Sequence, residues 1–174
     1  MTETTWPAIS PMLVVRYTSP VSNLALIGRL DLLRIQLGEV CIPSAVRLEL
    51  LDLPDLHARA AIERAIEEGW LKSAEVAAPD LLKLLSTTLH PGESGAIALA
   101  VQLQAGLVLI DEREARGVAA LLGLRVTGVL GVLLRAKREG AVASLRQEIE
   151  ALRGKARFLV APQLEHQILR EAGE

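Results

Sequence analysis

Short apolar runs that alternate with longer helical segments constrain the fold more than any other feature of this sequence. The clearest run, LVLI at residues 107–110, is short and continuous, as expected of a strand buried on both faces. Further strands are expected at residues 13–16, 39–42, 70–76 and 125–126. Strands that alternate with helices indicate a parallel sheet covered by helices on both sides. The sequence therefore predicts an α/β fold.

Proline and glycine mark where most of the intervening helices begin and end. Thr18-Ser19-Pro20 is a helix-start signal with proline at an early position, and Gly28, Gly38 and Gly123 mark helix ends. Helices are expected at about residues 21–27, 30–36, 44–51, 55–68, 79–89, 91–106, 112–122, 128–139, 145–152 and 162–171. Residues 1–11 are predicted to form a loose N-terminal leader, and residues 12–174 a single domain without internal repeats.

Composition narrows the functions that the chain can perform. Hydrophobic residues make up 51% of it but aromatic residues only 2%, so the core must be aliphatic and base stacking is a poor main mode of recognition. The net charge of −2 gives no overall positive field toward nucleic acid or membrane. Phosphate chemistry would therefore need a metal ion or a local group of arginine and lysine side chains.

The lone cysteine and the lack of long apolar stretches predict a cytoplasmic protein. Cys41 allows no intramolecular disulfide, which favours a reducing compartment, and its apolar neighbours predict a buried small side chain. The N-terminus lacks a basic start followed by an apolar run, so no signal peptide is expected. No apolar stretch approaches the length of a membrane span, so no membrane partner is expected.

Ligands of open α/β sheets gather beyond the carboxyl ends of the strands, which makes Asp111, directly after LVLI, a candidate site residue. Spacing alone favours a second interpretation, in which Asp111 and Glu114 cap the following helix. Glu93 shares a helical face with Ala96, Ile97 and Ala100, so its carboxylate is expected to point toward the sheet. An ordinary first-turn glutamate that complements the helix dipole explains Glu93 equally well.

Glu49 is a third candidate, although a solvated position suits its helix slightly better. Three carboxylates near one sheet edge would suit Mg²⁺ or Mn²⁺, which prefer oxygen ligands and keep bound water. Other site types fit less well. His57, His90 and His166 lack zinc-like spacing, and residues 92–95 lack the pattern of a phosphate-binding loop.

At these residues the chain resembles the PIN-domain family, in particular its bacterial toxin-like branch of toxin–antitoxin ribonucleases. The resemblance runs from residue 13 to about residue 140, so it covers most of the chain. The segments that carry it, in order, are TSPVSNLALIGRLDLL (18–33), VCIPSAVRLEL (40–50), GESGAIALA (92–100), LVLIDEREAR (107–116) and LRVTGVLGVLLRAKREG (124–140).

The resemblance implies a three-layer α/β sandwich around a parallel sheet and a Mg²⁺- or Mn²⁺-dependent endoribonuclease. It assigns Glu49, Glu93 and Asp111 as metal ligands and catalytic residues, and Ser19 as the small polar residue beside the family's first acid. Either Glu112 or Glu114 would be an additional carboxylate. RNA and a small antitoxin protein are the implied partners.

The chain departs from the family pattern at the first acid, where Tyr17 replaces an aspartate in an otherwise matching Asp-Thr-Ser-Pro segment. A phenol is mostly neutral at pH 7 and is a poor ligand for a hard cation. Metal affinity is therefore expected to fall. Arg16 could place its charge near Glu93 or Asp111 instead, or point to the surface.

Several polar and basic residues are candidates for contact with RNA, and ordinary solvated or packed positions explain each of them as well. They are Asn23, Arg113, Arg116 and Thr127, together with Arg135, Lys137 and Arg138. The helices near residues 145–152 and 162–171 could cover a homodimer or partner surface, or pack on the core. Two further hypotheses stay open: a catalytically inactive PIN-like binding or regulatory module, and a likeness of fold alone with a different ligand.

Overall fold

The five predicted strands pair into one parallel sheet in the computed structural model, which describes residues 14–16 and 18–174. The strands are β1 Val14–Arg16, β2 Val40–Pro43, β3 Leu71–Ala74, β4 Leu107–Leu109 and β5 Val126–Thr127. Their order is β3-β2-β1-β4-β5, and every neighbouring pair is parallel. The predicted α/β fold with a central parallel sheet is confirmed.

The described residues also form helices at each of the predicted places. They are α1 Thr18–Leu26, α2 Asp31–Leu37, α3 Ser44–Leu51, α4 Leu56–Glu67, α5 Pro79–Leu85, α6 Pro91–Gln102, α7 Arg113–Leu121, α8 Val129–Arg138, α9 Leu145–Lys155 and α10 Pro162–Glu171.

Helix α5 ends four residues before the predicted residue 89. The hydroxyl groups of Ser86 and Thr87 donate to the carbonyl oxygens of Leu82 and Leu84, at 2.8 and 2.6 Å. Such side-chain bonds compete with the backbone ladder and favour turns over a continuing helix.

The helices form two layers, one on each side of the sheet. Helix α6 lies against β1, β2 and β4 and contacts α5 and α7, which places these three helices together. Helix α1 contacts α3, α4, α8 and α9, and α2 contacts α8, which assembles the second layer. Connections between parallel strands are right-handed. The chain crosses the sheet in one direction from β1 to β3 and in the opposite direction from β3 to β5, so the connecting helices lie on opposite faces. The result is the expected three-layer sandwich.

The core between these layers is aliphatic, as the composition requires. Cys41 is buried in β2, and burial raises the pKa of its thiol, consistent with the predicted packing role. The largest fully buried side chains are Leu24, Leu33, Ile42, Leu50, Ile62, Leu71, Ile97, Leu99, Leu109, Ile110 and Leu133.

The strand order creates a crevice between β1 and β4. The chain runs outward from β1 through β2 to β3, whereas β4 leads to β5 in the opposite direction. Ligands bind at such a reversal, beyond the carboxyl ends of the strands. In the register, Arg16 pairs with Leu109, so the segments that follow β1 and β4 emerge side by side.

Residues 1–13, Tyr17 and the side chain of Arg16 lie outside the described residues. The leader, the domain boundary at residue 12 and the effects of Tyr17 and Arg16 therefore stay predictions. Among the helices of the described segments, none is both long enough and apolar enough to cross a membrane.

Candidate functional site

A cleft of about 410 Å³ lies at the carboxyl edge of the sheet. Helices α1, α3 and α6 and the segment after β4 each contribute to it. Two of the predicted acids, Glu49 and Glu93, face this one cleft with the predicted Ser19. The described lining residues are Ser19, Glu49, His90, Pro91, Gly92, Glu93 and Glu112.

Glu93 is buried, as the apolar face of its helix predicted, and only 4% of its surface is exposed. One carboxylate oxygen, Oε2, accepts a hydrogen bond of 3.1 Å from the backbone N–H of His90. Glu93 therefore closes the first turn of α6 and lines the cleft at the same time. The two interpretations of its sequence position are compatible.

Asp111 caps a different helix from the one that spacing suggested. Its Oδ1 accepts a 2.8 Å hydrogen bond from the backbone N–H of Val129, the first residue of α8. The N-terminal cap of α7 is Glu112, so the proposed capping by Asp111 together with Glu114 is wrong. The end of β4 and the N-terminus of α8 meet at the carboxyl edge of the sheet. The positive end of the helix dipole there stabilises the negative charge of Asp111.

Gly128 and Arg116 hold Asp111 in this position. A Cβ atom on Gly128 would lie 2.5 Å from Asp111 Oδ1 and 3.2 Å from the carbonyl oxygen of Ile110, so only glycine permits the approach. The guanidinium Nη1 of Arg116 donates to the same carbonyl at 2.9 Å. We call Asp111, Arg116, Gly128 and Val129 the braced side of the site.

The remaining cleft acids are more exposed to solvent. Ser19 is half-buried, while Glu49 and Glu112 are exposed, as the periodicity around Glu49 favoured. Glu112 begins α7 without a side-chain capping bond. We call Ser19, Glu49 and Glu112 the open side of the site.

Two of the residues predicted to contact RNA have buried side chains. Asn23 is 9% exposed and Thr127 is 8% exposed. A Cβ on Gly131 would overlap Thr127 Oγ1, so this hydroxyl lies against the first turn of α8. Their burial limits the surface that either side chain offers to RNA.

A family model for the PIN domain matches residues 13–174, nearly the whole chain. The chain belongs to the PIN-domain family. No curated protein sequence matches it. PIN domains are typically metal-dependent nucleases, so a nuclease-type fold, predicted from the ordered motifs, is confirmed at this coarse level.

The donor set of this PIN domain suits a hard cation only loosely. The cleft offers carboxylates from Glu49, Glu93 and Glu112 and the Ser19 hydroxyl, all of them oxygen donors. In the part of the chain that the structure describes, however, no three Asp, Glu, His or Cys side chains are grouped closely enough to hold a metal ion. The residues therefore fit an ion held by one or two carboxylates and retained water.

The basic residues of this PIN domain divide by position. Arg113 is exposed at the start of α7, beside the cleft residue Glu112, where phosphate contact is sterically open. Arg116 instead donates a hydrogen bond to the carbonyl oxygen of Ile110, as described above. The three cations near the end of α8 form ion pairs with Glu139, Glu174 and Glu171: Arg135, Lys137 and Arg138.

His90 is a cleft residue that the lack of zinc-like spacing did not single out. It is exposed, is the N-cap residue of α6 and lines the cleft beside Glu93. Its position immediately before the Pro91-Gly92 helix start was the available signal. Zinc-like spacing, the criterion applied to the histidines, has no bearing on this placement.

Proposed function

We propose that this PIN domain is an endoribonuclease that uses Mg²⁺ or Mn²⁺ with weakened affinity. The observation that carries the proposal is that Glu49, Glu93 and Glu112 line one cleft at the strand reversal. Asp111 immediately precedes Glu112 and is held by the first turn of α8. Acidic side chains are a poor surface for RNA by themselves, since they repel phosphate. Their grouping at this edge is explained when a cation lies between them and the substrate.

The residues of the site would have separate roles in this reaction. Glu49, Glu93 and Asp111 would hold the ion, while Ser19 and Arg113 would orient the RNA backbone. A bound divalent ion would stabilise the charge that develops on the phosphate and favour ionisation of water. Glu93 is held by its own helix turn, so its oxygens would keep their positions when RNA enters.

The replacement of the first aspartate by Tyr17 is the reason to propose weakened affinity. A neutral phenol supplies no charge to the ion. Among the described residues, no three acids lie close enough together to hold an ion by themselves, which agrees with a site completed by water rather than a closed cage.

Toxicity restrained by a small antitoxin protein, a cytoplasmic site of action and a homodimeric state belong to the same proposal. They rest on the resemblance to the toxin-like branch and on the lone buried cysteine. Exposed Leu159 and Leu164 flank the start of α10 and offer apolar surface for such a partner.

A catalytically inactive RNA-binding or regulatory module is the second candidate. The specific observation in its favour is that Asp111 Oδ1 and Glu93 Oε2 both accept backbone hydrogen bonds. Two acids of the cluster therefore have structural duties that would preserve them after activity was lost.

Manganese binding and RNA cleavage, measured together, test the proposal. The full chain is titrated with Mn²⁺ by calorimetry, and its cleavage of a mixed RNA pool is followed in Mn²⁺ and in EDTA. We expect weak binding and EDTA-sensitive cleavage, both lost in Asp111→Asn and Glu93→Gln. Glu63→Gln, an exposed change on α4, is the matched control and should behave like wild type.

The variant Tyr17→Asp separates the two candidates. If the wild type neither binds Mn²⁺ nor cleaves RNA while Tyr17→Asp gains both, the inactive module is the correct function. If Tyr17→Asp also gains neither, the assignment of the site is wrong.

A further inference from the structure

A second pocket, of about 290 Å³, adjoins the cleft. We call it the side pocket. It shares Glu49, Pro91 and Gly92 with the cleft, so the two cavities are direct neighbours. Its remaining lining residues are Pro43, Ser44, Ala45, Val46, Glu75, Val76, Leu82, Ser86 and Gly95.

The wall formed by residues 75–77 is held in place by Gln102. Its side-chain Nε2 donates to the carbonyl oxygen of Glu75 at 3.1 Å, and its Oε1 accepts from the backbone N–H of Ala77 at 2.7 Å. This bidentate clamp ties the segment after β3 to the end of α6. The side pocket is therefore shaped before any ligand enters.

The chemistry of the side pocket is mixed. Pro43, Val46, Val76 and Leu82 supply aliphatic residues, whereas Glu49 and Glu75 are the acidic residues among its lining. Two carboxylates and no basic side chain among the described lining residues disfavour a phosphate. Because carboxylates accept hydrogen bonds, a ligand that carries N–H groups fits this pocket better than a phosphate does.

These properties fit a nucleobase. The pocket, of about 290 Å³, has room for one base, and its aliphatic walls would lie against the flat face of the ring. Carboxylates accept hydrogen bonds from the exocyclic amino groups of cytosine, adenine and guanine, whereas the one ring N–H on the pairing edge of uracil lies between two carbonyl oxygens that repel a carboxylate. The low aromatic content excludes stacking as the main source of binding, which leaves this edge contact to select the base.

We propose that the side pocket receives the base next to the cleaved phosphate and prefers amino-bearing bases over uracil. The inference rests on the proposed function, because the cleft must hold the phosphate for a neighbouring base to reach the side pocket. Glu75 is the residue that selects the amino group. Glu49 stands between the two sites and belongs to both.

The test compares oligouridine with the same oligomer carrying one cytidine or adenosine. Binding is measured by fluorescence anisotropy of end-labelled RNA with the full chain, and cleavage is measured in Mn²⁺. We expect the substituted oligomers to be bound and cleaved about tenfold better, with the cut adjacent to the amino-bearing nucleotide. Glu75→Gln should reduce this preference to less than about threefold.

Ala45→Phe provides a second variant, because a ring at this exposed position should fill the side pocket and remove the preference. Glu63→Gln and Ala60→Phe, exposed on α4 and away from both cavities, are the matched controls and should keep it. All four changes are at the surface, which keeps the fold intact in each variant.

Three outcomes would overturn the inference in distinguishable ways. RNA bound or cleaved without base preference, or with a preference unchanged in Glu75→Gln and Ala45→Phe, would sink the side pocket but not the nuclease. Absence of both RNA binding and RNA cleavage would refute the proposed function as well. Binding of an arginine-containing peptide that Glu75→Gln removes, with unchanged RNA preference, would assign the side pocket to a protein partner.

Discussion

The braced side and the open side of the site hold their acids in opposite ways. Asp111 on the braced side accepts a backbone hydrogen bond and lies where only glycine fits opposite it. Glu49 on the open side is exposed on the surface of α3. The braced acid is positioned by the backbone of a different element, whereas the open acid lies on the solvent-exposed surface of its own helix.

This difference predicts that substitutions within the same site affect stability and function to different extents. A group held by backbone bonds contributes to folding and arrives preorganised, while an exposed group contributes almost nothing to folding. Substitutions on the braced side that remove a backbone hydrogen bond or create a steric overlap should therefore lower stability and function together. Those on the open side should alter function alone.

The largest expected effect is on the braced side, at Gly128. Gly128→Ala forces a Cβ against Asp111 Oδ1 and the Ile110 carbonyl, so we expect the free energy of unfolding to fall by about 1–3 kcal/mol. Urea denaturation measures this change.

Gly117→Ala is the matched control, since a Cβ there meets nothing within 4 Å and the residue lies inside α7. It should be neutral or stabilise the protein by up to about 1 kcal/mol. Equal behaviour of the two variants would show that the close approach at Gly128 does not constrain the site.

Two substitutions of Asp111 separate its contribution to stability from its contribution to metal binding. Asp111→Ala removes the acceptor for the Val129 N–H and should cost about 1 kcal/mol of stability. Asp111→Asn keeps an acceptor oxygen but no charge, so it should unfold close to wild type while losing Mn²⁺ binding. Thermal unfolding and calorimetry measure the pair, and equal destabilisation by both changes would contradict the role of this bond.

Glu174 lies away from the cleft and tests how hydrogen bonds from backbone N–H groups to a carboxylate affect stability. Burial alone would raise its pKa, but hydrogen bonds from the backbone N–H groups of Leu145 and Arg146, from Ser144 and from Lys137 lower it to about 2.

A lowered folded-state pKa stabilises the fold above the unfolded value near 4.5, and this contribution disappears as pH falls toward 2. Glu174→Gln should therefore be less stable than wild type at pH 7, with the difference shrinking between pH 4.5 and 2. Urea midpoints across this range measure it. A difference that does not depend on pH would show that the carboxylate charge is not responsible.

The smallest effect on stability is expected on the open side. Glu49→Ala should change the free energy of unfolding by less than about 0.5 kcal/mol, because its side chain is exposed. RNA cleavage in Mn²⁺ should nevertheless fall by about tenfold or more, as for other groups that position a metal. Parallel loss of stability and activity in this variant would erase the distinction between the two sides.

Much of the fold could be predicted because its signals are local. LVLI contains no polar residue and becomes the buried strand β4, and Pro91-Gly92 begins α6 as expected. The burial of Glu93 was also predictable, since its neighbours on the helix are apolar. Errors occurred where side chains competed with the backbone, as at Ser86 and Thr87.

The partners of the site residues could not be predicted in the same way. Asp111 and Val129 are 18 positions apart, and they meet only because β4 and β5 pair in parallel. Arg116 looked available for RNA but donates to the carbonyl of Ile110, while Thr127 lies against Gly131. Such contacts depend on register and on the space left between elements.

The sequence by itself determined the strand and helix pattern, the aliphatic core and membership of the PIN-domain family. Periodicity and residue type encode these features over short distances, and the ordered motifs add up along the chain. Only the tertiary structure decided that Asp111 caps α8, that His90 and Glu112 enter the cleft and that a side pocket adjoins it. The physical reason is that these features are distances between segments remote in sequence, which exist only after the sheet has paired.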